Sequence, residues 1–249
     1  MKQIILLLLS SASLITHCFA QTLASAEPVI NDWASTMQPD KEELHTGGTF
    51  KKTEEITAKN SIKWNGKPWA AVLEGTNSKI DMLAVYKDEV YLGGTFKKAG
   101  SRKVFSIAKW NGKELSPVGK GMNVDVNELV VFKDELYVFG LFDLVENKPA
   151  AGIAKFDGTT WTPVENEFNR DFFTAIVFKD ELYVGGYIKD AISNKNDFAV
   201  AKFNGEKWTA VEGIDEYKYA EPLTTPRNNV SSLVIYKDKL YVKWYYDYQ

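Results

Sequence analysis

Cysteine and histidine are almost missing from this 249-residue chain, which contains one cysteine and two histidines. Cys18 and His17 both lie in an apolar N-terminal segment, so a chain that loses this segment keeps only His45. Such a chain forms no internal disulfide, and one histidine cannot build a Ser-His or Cys-His mechanism. Copper and most zinc sites need several imidazole or thiolate ligands. The composition therefore predicts no cofactor and no metal, and it excludes copper oxidation in particular.

The chain also lacks an excess of basic charge and a long apolar run. Its formal net charge is −3, and lysine and arginine form no continuous stripe. Proteins that bind nucleic acid need a basic surface to meet the phosphates, so this balance argues against a nucleic-acid partner. No apolar run after the N-terminal segment is long enough for a membrane helix, which predicts no membrane span.

Residues 1–20 have the pattern of a secretory signal peptide. Lys2 precedes the apolar residues 4–9, and a small residue, Ala20, stands before Gln21 at the expected cleavage site. Lipid attachment at Cys18 would need a small residue before the cysteine, where this chain has His17. We therefore expect cleavage between Ala20 and Gln21 and a secreted protein, periplasmic or extracellular.

What the chain does have is an internal repeat of 46 residues. Its first signature is an aromatic residue, Lys-Asp-Glu, and an apolar stretch that ends in glycine, at residues 86–94, 132–140 and 178–186. Variant copies of this signature occupy residues 41–48 and 236–244. The second signature is Lys-aromatic-Asn/Asp-Gly, with lysines 46, 46 and 47 residues apart at Lys63, Lys109, Lys155 and Lys202. Such periodicity is typical of arrays of small structural units.

Each repeat is predicted to form four antiparallel strands, a to d. In the third copy strand a covers residues 128–132, strand b 136–142, strand c 152–156 and strand d 160–164. The Lys-Asp-Glu turn connects a to b, and Asn-Gly or Asp-Gly connects c to d as a type I′ hairpin. Glycine pairs after strand b suit either a close approach between backbones or a bulge with positive φ.

Four strands in about 45 residues is the length of a propeller blade. The glycine pairs and the aromatics of strands c and d resemble those of the Kelch repeat. They resemble still more the secreted bacterial propeller repeat of the pattern LYVGG-F…IAKWDG-W, which is also seen in cortical polarity-marker proteins. This resemblance covers residues 41–244 and implies an all-β propeller in which the repeated glycines and aromatic residues have structural roles. They are Gly47, Gly48, Gly93, Gly94, Gly185, Gly186, Trp64, Trp110, Phe156, Phe203, Trp69, Trp161 and Trp208. Leu115, Phe139 and the pair Lys243-Trp244 depart from the pattern.

The predicted organisation is a signal peptide (1–20), a linker (21–40) and propeller repeats (41–249). Three repeats are complete, at 78–119, 124–166 and 170–212, whereas 41–75 and 230–246 are partial. Pro39 and its polar neighbours predict that the N-terminal copy has no first strand. A ring of four blades closed by the C-terminal strands, a ring of five blades, and an open arc all remain compatible with this count. Open edges would favour self-association.

Function is expected where the copies differ. The turn aspartates Asp88, Asp134, Asp180 and Asp238 recur in every copy, as turn residues do, whereas catalytic acids should break the repeat. The connection before the last copy is about twelve residues longer than its equivalents, and it carries Tyr217, Tyr219 and Arg227 as candidate ligand-binding residues. The uneven b–c loops are a second candidate surface. We therefore expect a non-catalytic module that binds a protein or a glycan through its loops. The alternative is a glycoside hydrolase with two carboxylates in a central cleft.

A repeated set of lysines allows one more hypothesis. Lys63, Lys109, Lys155 and Lys202 would lie at matching heights in a ring and could bind anions together. The simpler interpretation is that their aliphatic stems cover apolar surface while the ammonium groups reach water.

Overall fold

The computed structural model describes residues 30–53, 56–66, 69–72, 74–166, 168, 171–188, 198–211 and 229–245. All regular elements in these residues are β-strands, and none is a helix that could cross a membrane. The prediction of an all-β protein built from small antiparallel sheets is confirmed.

Four sheets share one meander topology, in which four strands pair in the order of the sequence. Sheet 1 consists of β1 (Ala34–Asp40), β2 (Glu43–Gly48), β3 (Ser61–Trp64) and β4 (Ala70–Ala71). Sheet 2 consists of β5 (Ile80–Tyr86), β6 (Glu89–Gly94), β9 (Ile107–Trp110) and β10 (Leu115–Pro117). A short ribbon of β7 (Lys98–Ala99) and β8 (Arg102–Lys103) projects between its second and third strands.

The third and fourth repeats follow the same plan, and a hairpin follows them. Sheet 3 consists of β11 (Val126–Phe132), β12 (Glu135–Gly140), β15 (Ile153–Phe156) and β16 (Trp161–Pro163), with a ribbon of β13 (Leu144–Val145) and β14 (Lys148–Pro149). Sheet 4 consists of β17 (Asp171–Phe178), β18 (Glu181–Ile188), β19 (Phe198–Phe203) and β20 (Trp208–Ala210). The C-terminal hairpin consists of β21 (Asn229–Tyr236) and β22 (Lys239–Tyr245).

The sheets pack in sequence through their first strands. β1 contacts β5, β5 contacts β11, β11 contacts β17, and β17 contacts β21. Apolar side chains such as Val126, Leu136 and Val138 are fully buried between neighbouring sheets. Because one small sheet cannot bury both of its faces, this stacking supplies the core.

The N-terminal copy corrects one prediction. Residues 34–40, which we assigned to a linker, form β1 and pair with β2 from Ala34–Gly48 to Asp40–Glu43. Pro39 has no N–H group to donate. It is tolerated because β1 is the edge strand of sheet 1 and needs backbone hydrogen bonds on one side only. The copy at 41–75 is therefore not partial. With its first strand at 34–40, it is a complete four-stranded unit.

The conformations of the turns correct a second prediction, the position of the type I′ turn. Both central residues of the a–b turn have positive φ, as at Lys87 (48°) and Asp88 (62°), so the type I′ turn lies there. In the c–d turn after β15, Gly158 has positive φ (102°), and the Asp157 carboxylate accepts hydrogen bonds from Thr159 N and Thr160 N at 2.7 and 2.8 Å. The Asn-Gly and Asp-Gly pairs therefore make a longer loop held by a side chain rather than a two-residue type I′ turn.

The glycine pairs serve the close approach of neighbouring segments. A Cβ atom added at Gly93 would lie 2.5 Å from Val126 Cγ1 of the next sheet, and one at Gly94 would lie 2.2 Å from Lys79 O. Gly47 and Gly185 meet Ile80 and Val230 in the same way. These glycines do not have positive φ, so they do not form a bulge themselves, but the bulge of each first strand lies opposite them, as between Ile80 and Met82.

Candidate functional site

The strand-c lysines are engaged inside their own sheets. Each one forms an ion pair with the glutamate that begins the second strand of its sheet. The pairs are Lys63–Glu43 and Lys109–Glu89 at 2.7 Å, and Lys155–Glu135 and Lys202–Glu181 at 2.9 Å. Because every ammonium group already faces a carboxylate, these lysines do not offer a free cationic ring. Their role is cross-strand pairing, which neither of our two interpretations included.

The turn residues also have structural partners. Lys133 Nζ donates to Asn204 O at 2.6 Å, and Lys87 Nζ donates to Asp157 O, so the a–b turns of sheets 2 and 3 reach the c–d turn of the next sheet. The Tyr86 hydroxyl donates to Asp134 O at 2.8 Å across the same interface. The repeated Lys-Asp turn is therefore part of the connection between sheets.

One buried acid breaks the repeat. Glu128 lies at the bulge of β11, where the other first strands have Thr36, Met82, Thr174 and Ser232. Its carboxylate accepts hydrogen bonds from Leu129 N at 3.0 Å and from Ala175 N of the next sheet at 3.4 Å. Burial raises the pKa of Glu128 to about 8, and these two hydrogen bonds oppose the shift.

The Glu128 side chain links two sheets through its hydrogen bonds and does not form an open catalytic site. Thr174 does the same at the next interface, where its hydroxyl accepts a hydrogen bond from Leu233 N at 3.4 Å. Glu128 is only 6% exposed. A general acid must reach the substrate proton that it transfers, and a sealed carboxyl does not.

Two further acids lie near the start of the first strands. Asp81 forms an ion pair with Lys79 at 2.5 Å. Burial raises the pKa of Asp81 and the nearby charge of Asp125 adds to this rise, while Lys79 lowers the pKa. The ion pair with Lys79 opposes the rise in the pKa of Asp81 but does not cancel it.

His45 occupies the position that Tyr91, Tyr137 and Tyr183 hold in the other sheets. It is buried, its Nε2 lies 3.4 Å from Glu43 Oε2, and burial lowers its pKa. Over the described ranges, histidine, cysteine and acidic residues form no group of three that could hold a metal ion.

A concave groove lies between the ribbons of sheets 2 and 3. We call it the ribbon groove, and its volume is about 350 Å³. It is lined by Lys103, Val104, Phe105, Pro117, Gly119, Lys120, Gly121, Met122, Asn123, Leu144 and Asn147. This volume lies within the range of small-ligand sites.

Hydrogen bonds from backbone N–H groups hold the walls of the ribbon groove together. Asn123 Oδ1 accepts hydrogen bonds from Asp143 N and Leu144 N at 3.1 and 3.0 Å, which holds the second ribbon against the groove. Met122 N donates to Phe105 O at 3.1 Å, and Lys120 N donates to Glu146 Oε1 at 2.6 Å. Asn31 and Asn77 hold the b–c connections of sheets 1 and 2 in the same way. Asn169, 46 residues after Asn123 at the same repeat position, lies outside the described residues.

The groove presents an aromatic ring beside cationic and amide groups. Phe105 is 38% exposed although it is large and apolar, and Lys103 Nζ lies 4.9 Å from the centre of its ring. The equivalent positions in the neighbouring copies hold Lys59 and Ala151. The groove therefore combines the concavity, the rigidity and the departure from the repeat that a binding site requires. The b–c loops, which we predicted as a second candidate surface, supply Lys103, Leu144 and Asn147 to this groove, whereas Phe105 lies outside those loops. Aligning the copies at position 105 would have found Phe105.

The structure describes only some of the other residues that we singled out from the sequence. Tyr217, Tyr219 and Arg227 lie outside the described residues, as do Ala20 and Gln21 at the predicted cleavage site. The aromatics of strands c and d stack in pairs, with ring centres 4.8 Å apart for Phe156–Trp161 and 4.7 Å for Phe203–Trp208. Phe156, Trp161 and Phe203 are buried and Trp208 is partly buried, so these rings pack within and between the sheets.

Comparisons with known proteins show a likeness of fold. Neither the protein-family models nor the curated proteins contain a match. Among solved structures, YjhT is similar over 86% of this chain and 72% of its own, with a TM-score of 0.52 and 15% identity. The computationally designed protein Ika4 matches 64% of this chain and 90% of its own, with a TM-score of 0.43 and 12% identity. At these identities the likeness to YjhT concerns the fold alone.

Proposed function

We propose that this chain is a secreted, non-catalytic β-propeller module that binds its ligand in the ribbon groove. In this proposal the four sheets are successive blades of the Kelch-like type and the C-terminal hairpin begins a fifth. The support for blades is the stacking of the first strands, with one bulge at the same repeat position in each of them.

The observation that carries the binding function is the contrast between repeated and divergent positions. Repeated charges are used for ion pairs within sheets and for turns between them. Phe105, Lys103 and Lys120 instead stand at divergent positions around one open groove. A binding residue on a rigid scaffold is expected at such a position.

A glycan fits this groove better than a flat protein surface does. A protein interface of standard size buries about 800 Å² on each partner, whereas the ribbon groove is small and concave. An exposed ring beside amide and ammonium donors can stack on a sugar face and bind its hydroxyl or acidic groups. A protein could still enter the groove through one inserted loop.

The environments of the acidic residues favour a module that binds its ligand without hydrolysing it. Glycoside hydrolysis needs two carboxyl groups that face the same bond from opposite sides. Two acids in the described chain have a pKa that burial raises: Glu128 is sealed, and Asp81 is paired with Lys79. This supports a non-catalytic module over a hydrolase.

A glycan array combined with a broad hydrolase screen on residues 21–249 tests the proposal. We expect binding to a defined glycan class and recovery of that glycan unchanged. Hydrolysis of any tested glycoside that disappears in Asp81→Asn would contradict the proposal and favour the alternative.

A further inference from the structure

A small cavity lies between sheets 1 and 2. Its polar lining includes His45 and Ser61 of sheet 1 and Trp110 of sheet 2, and apolar residues such as Leu83 and Leu92 line much of the rest. The volume of the cavity is about 10 Å³, which is the least that one water molecule needs. His45, Ser61 and Trp110 are at most 5% exposed, so this cavity is buried in the interface between the two sheets.

The strand register directs Ser61 and His45 towards sheet 2. A Cβ atom added at Gly47 would lie 2.5 Å from Ile80 Cγ2, so this side of β2 faces sheet 2. Ser61 pairs with Gly47 across β2 and β3, and His45 stands two residues before Gly47. Because side chains alternate along a strand and paired residues share a side, Ser61 and His45 both point into the interface.

Three polar atoms at this cavity have no hydrogen-bond partner among the described residues. They are Ser61 Oγ, Trp110 Nε1 and His45 Nε2. His45 Nε2 lies 3.4 Å from Glu43 Oε2, which is longer than a well-formed hydrogen bond. The buried indole of Trp161, by contrast, donates to Val118 O at 3.2 Å. Because an unpaired buried polar group is destabilising, the three atoms need a common partner.

The equivalent positions at the next two interfaces are filled by larger or less polar side chains. They are Tyr91, Ile107 and Phe156 between sheets 2 and 3, and Tyr137, Ile153 and Phe203 between sheets 3 and 4. His45 is smaller than a tyrosine and Ser61 is smaller than an isoleucine, and the indole of Trp110 brings an N–H group that phenylalanine lacks. The first interface therefore has both room and polar groups at one place.

We propose that this cavity binds one water molecule, which joins sheet 1 to sheet 2. The water accepts a hydrogen bond from Trp110 Nε1 and donates one to Ser61 Oγ. Its third hydrogen bond is to His45 Nε2. Burial lowers the pKa of His45, so the imidazole is neutral at neutral pH, and the water can serve as donor or acceptor to either tautomer. Three hydrogen bonds are typical of a buried water molecule.

Water-to-protein Overhauser spectroscopy on nitrogen-labelled residues 21–249 tests the site. The Trp110 indole proton should show cross peaks at the water frequency that have opposite signs in the laboratory-frame and rotating-frame experiments, as a long-lived bound water produces. Direct proton exchange with the solvent would give the same sign in both. The Trp161 indole, which donates to Val118 O, is the matched control and should show no such peaks. Their absence at Trp110 would overturn the proposal.

Two variants of Ser61 identify the source of the signal. Ser61→Ala leaves room for the water and should keep the cross peaks at Trp110. Ser61→Val fills the cavity with the residue that sheet 4 has at Val200, and it should abolish them. Loss of the peaks in Ser61→Ala would overturn the proposal, because the signal would then come from the serine hydroxyl proton. Persistence in a folded Ser61→Val, with the fold checked by circular dichroism, would overturn it as well.

Discussion

Glu128 shows how one side chain can depart from the repeat and still serve the scaffold. Its carboxyl group links β11 to β17 through Ala175 N, and the interior raises its pKa to about 8 from an ordinary 4.5. The folded chain keeps a proton that the unfolded chain releases between these two values. Folding stability contributed by this residue must therefore fall as the pH rises from about 4.5 to 8.

Glu128→Gln should remove this pH dependence. We expect the free energy of unfolding of the native protein to fall by about 2–4 kcal/mol more than that of the variant between pH 5 and 8. Urea unfolding at several pH values measures the difference, with Glu165→Gln on the surface as the control. Parallel stability curves for the native protein and Glu128→Gln would show that the burial argument is wrong.

The sequence predicted the residue types of the site unevenly. Repeated residues such as Gly93 and Trp161 could be assigned to the scaffold because their period is visible. Glu128 and Phe105 carry no motif, and their burial or exposure depends on the neighbouring sheet. Only the folded molecule shows that Glu128 is sealed while Phe105 faces an open groove.

At the scale of elements, the close approach of neighbouring sheets depends on the first glycine of each pair. Gly93 faces Val126 of the next sheet so closely that a methyl group would overlap with it. Sheet 3 has Phe139 at this position, and its ring packs edge to face on Phe172 with centres 5.8 Å apart. The interface thus accepts either no side chain or a large one with a matching partner.

Gly93→Ala should therefore destabilise the protein by about 1–3 kcal/mol through overpacking. Val126→Ala in the same chain removes the methyl group that the new Cβ would meet, so the double variant should lose less than the sum of the single losses. Chemical unfolding of the four proteins measures this coupling. Additive losses would mean that the two residues do not meet across the interface.

The strands themselves were largely predictable, and their exceptions have physical causes. Four strands per repeat followed from the alternating apolar pattern and the turn residues. β1 was missed because Pro39 weakens a strand in general, although an edge strand tolerates it. The type I′ turn was assigned to Asn-Gly when Lys-Asp adopts it, because the residue pair alone does not reveal the loop length.

At the scale of the whole molecule, the described residues form a stack of similar sheets with a groove at divergent positions. Period and length predicted the repeated sheets, but the ribbon groove lies between two of them and belongs to neither copy alone. We propose that Lys103 and Phe105 of one copy bind the ligand together with Lys120, which precedes the first strand of the next sheet. Lys59 occupies the position of Phe105 in the preceding copy and offers a matched comparison on the same scaffold.

The most direct measurement is the affinity of the glycan selected on the array for the native protein, Phe105→Ala and Lys59→Ala. Loss of the exposed ring should weaken binding tenfold or more, which corresponds to about 1.4 kcal/mol. Lys59→Ala should bind within about twofold of the native protein, because its side chain lies outside the groove. Native affinity in Phe105→Ala, or an equal loss in Lys59→Ala, would contradict the assignment of the ribbon groove as the binding site.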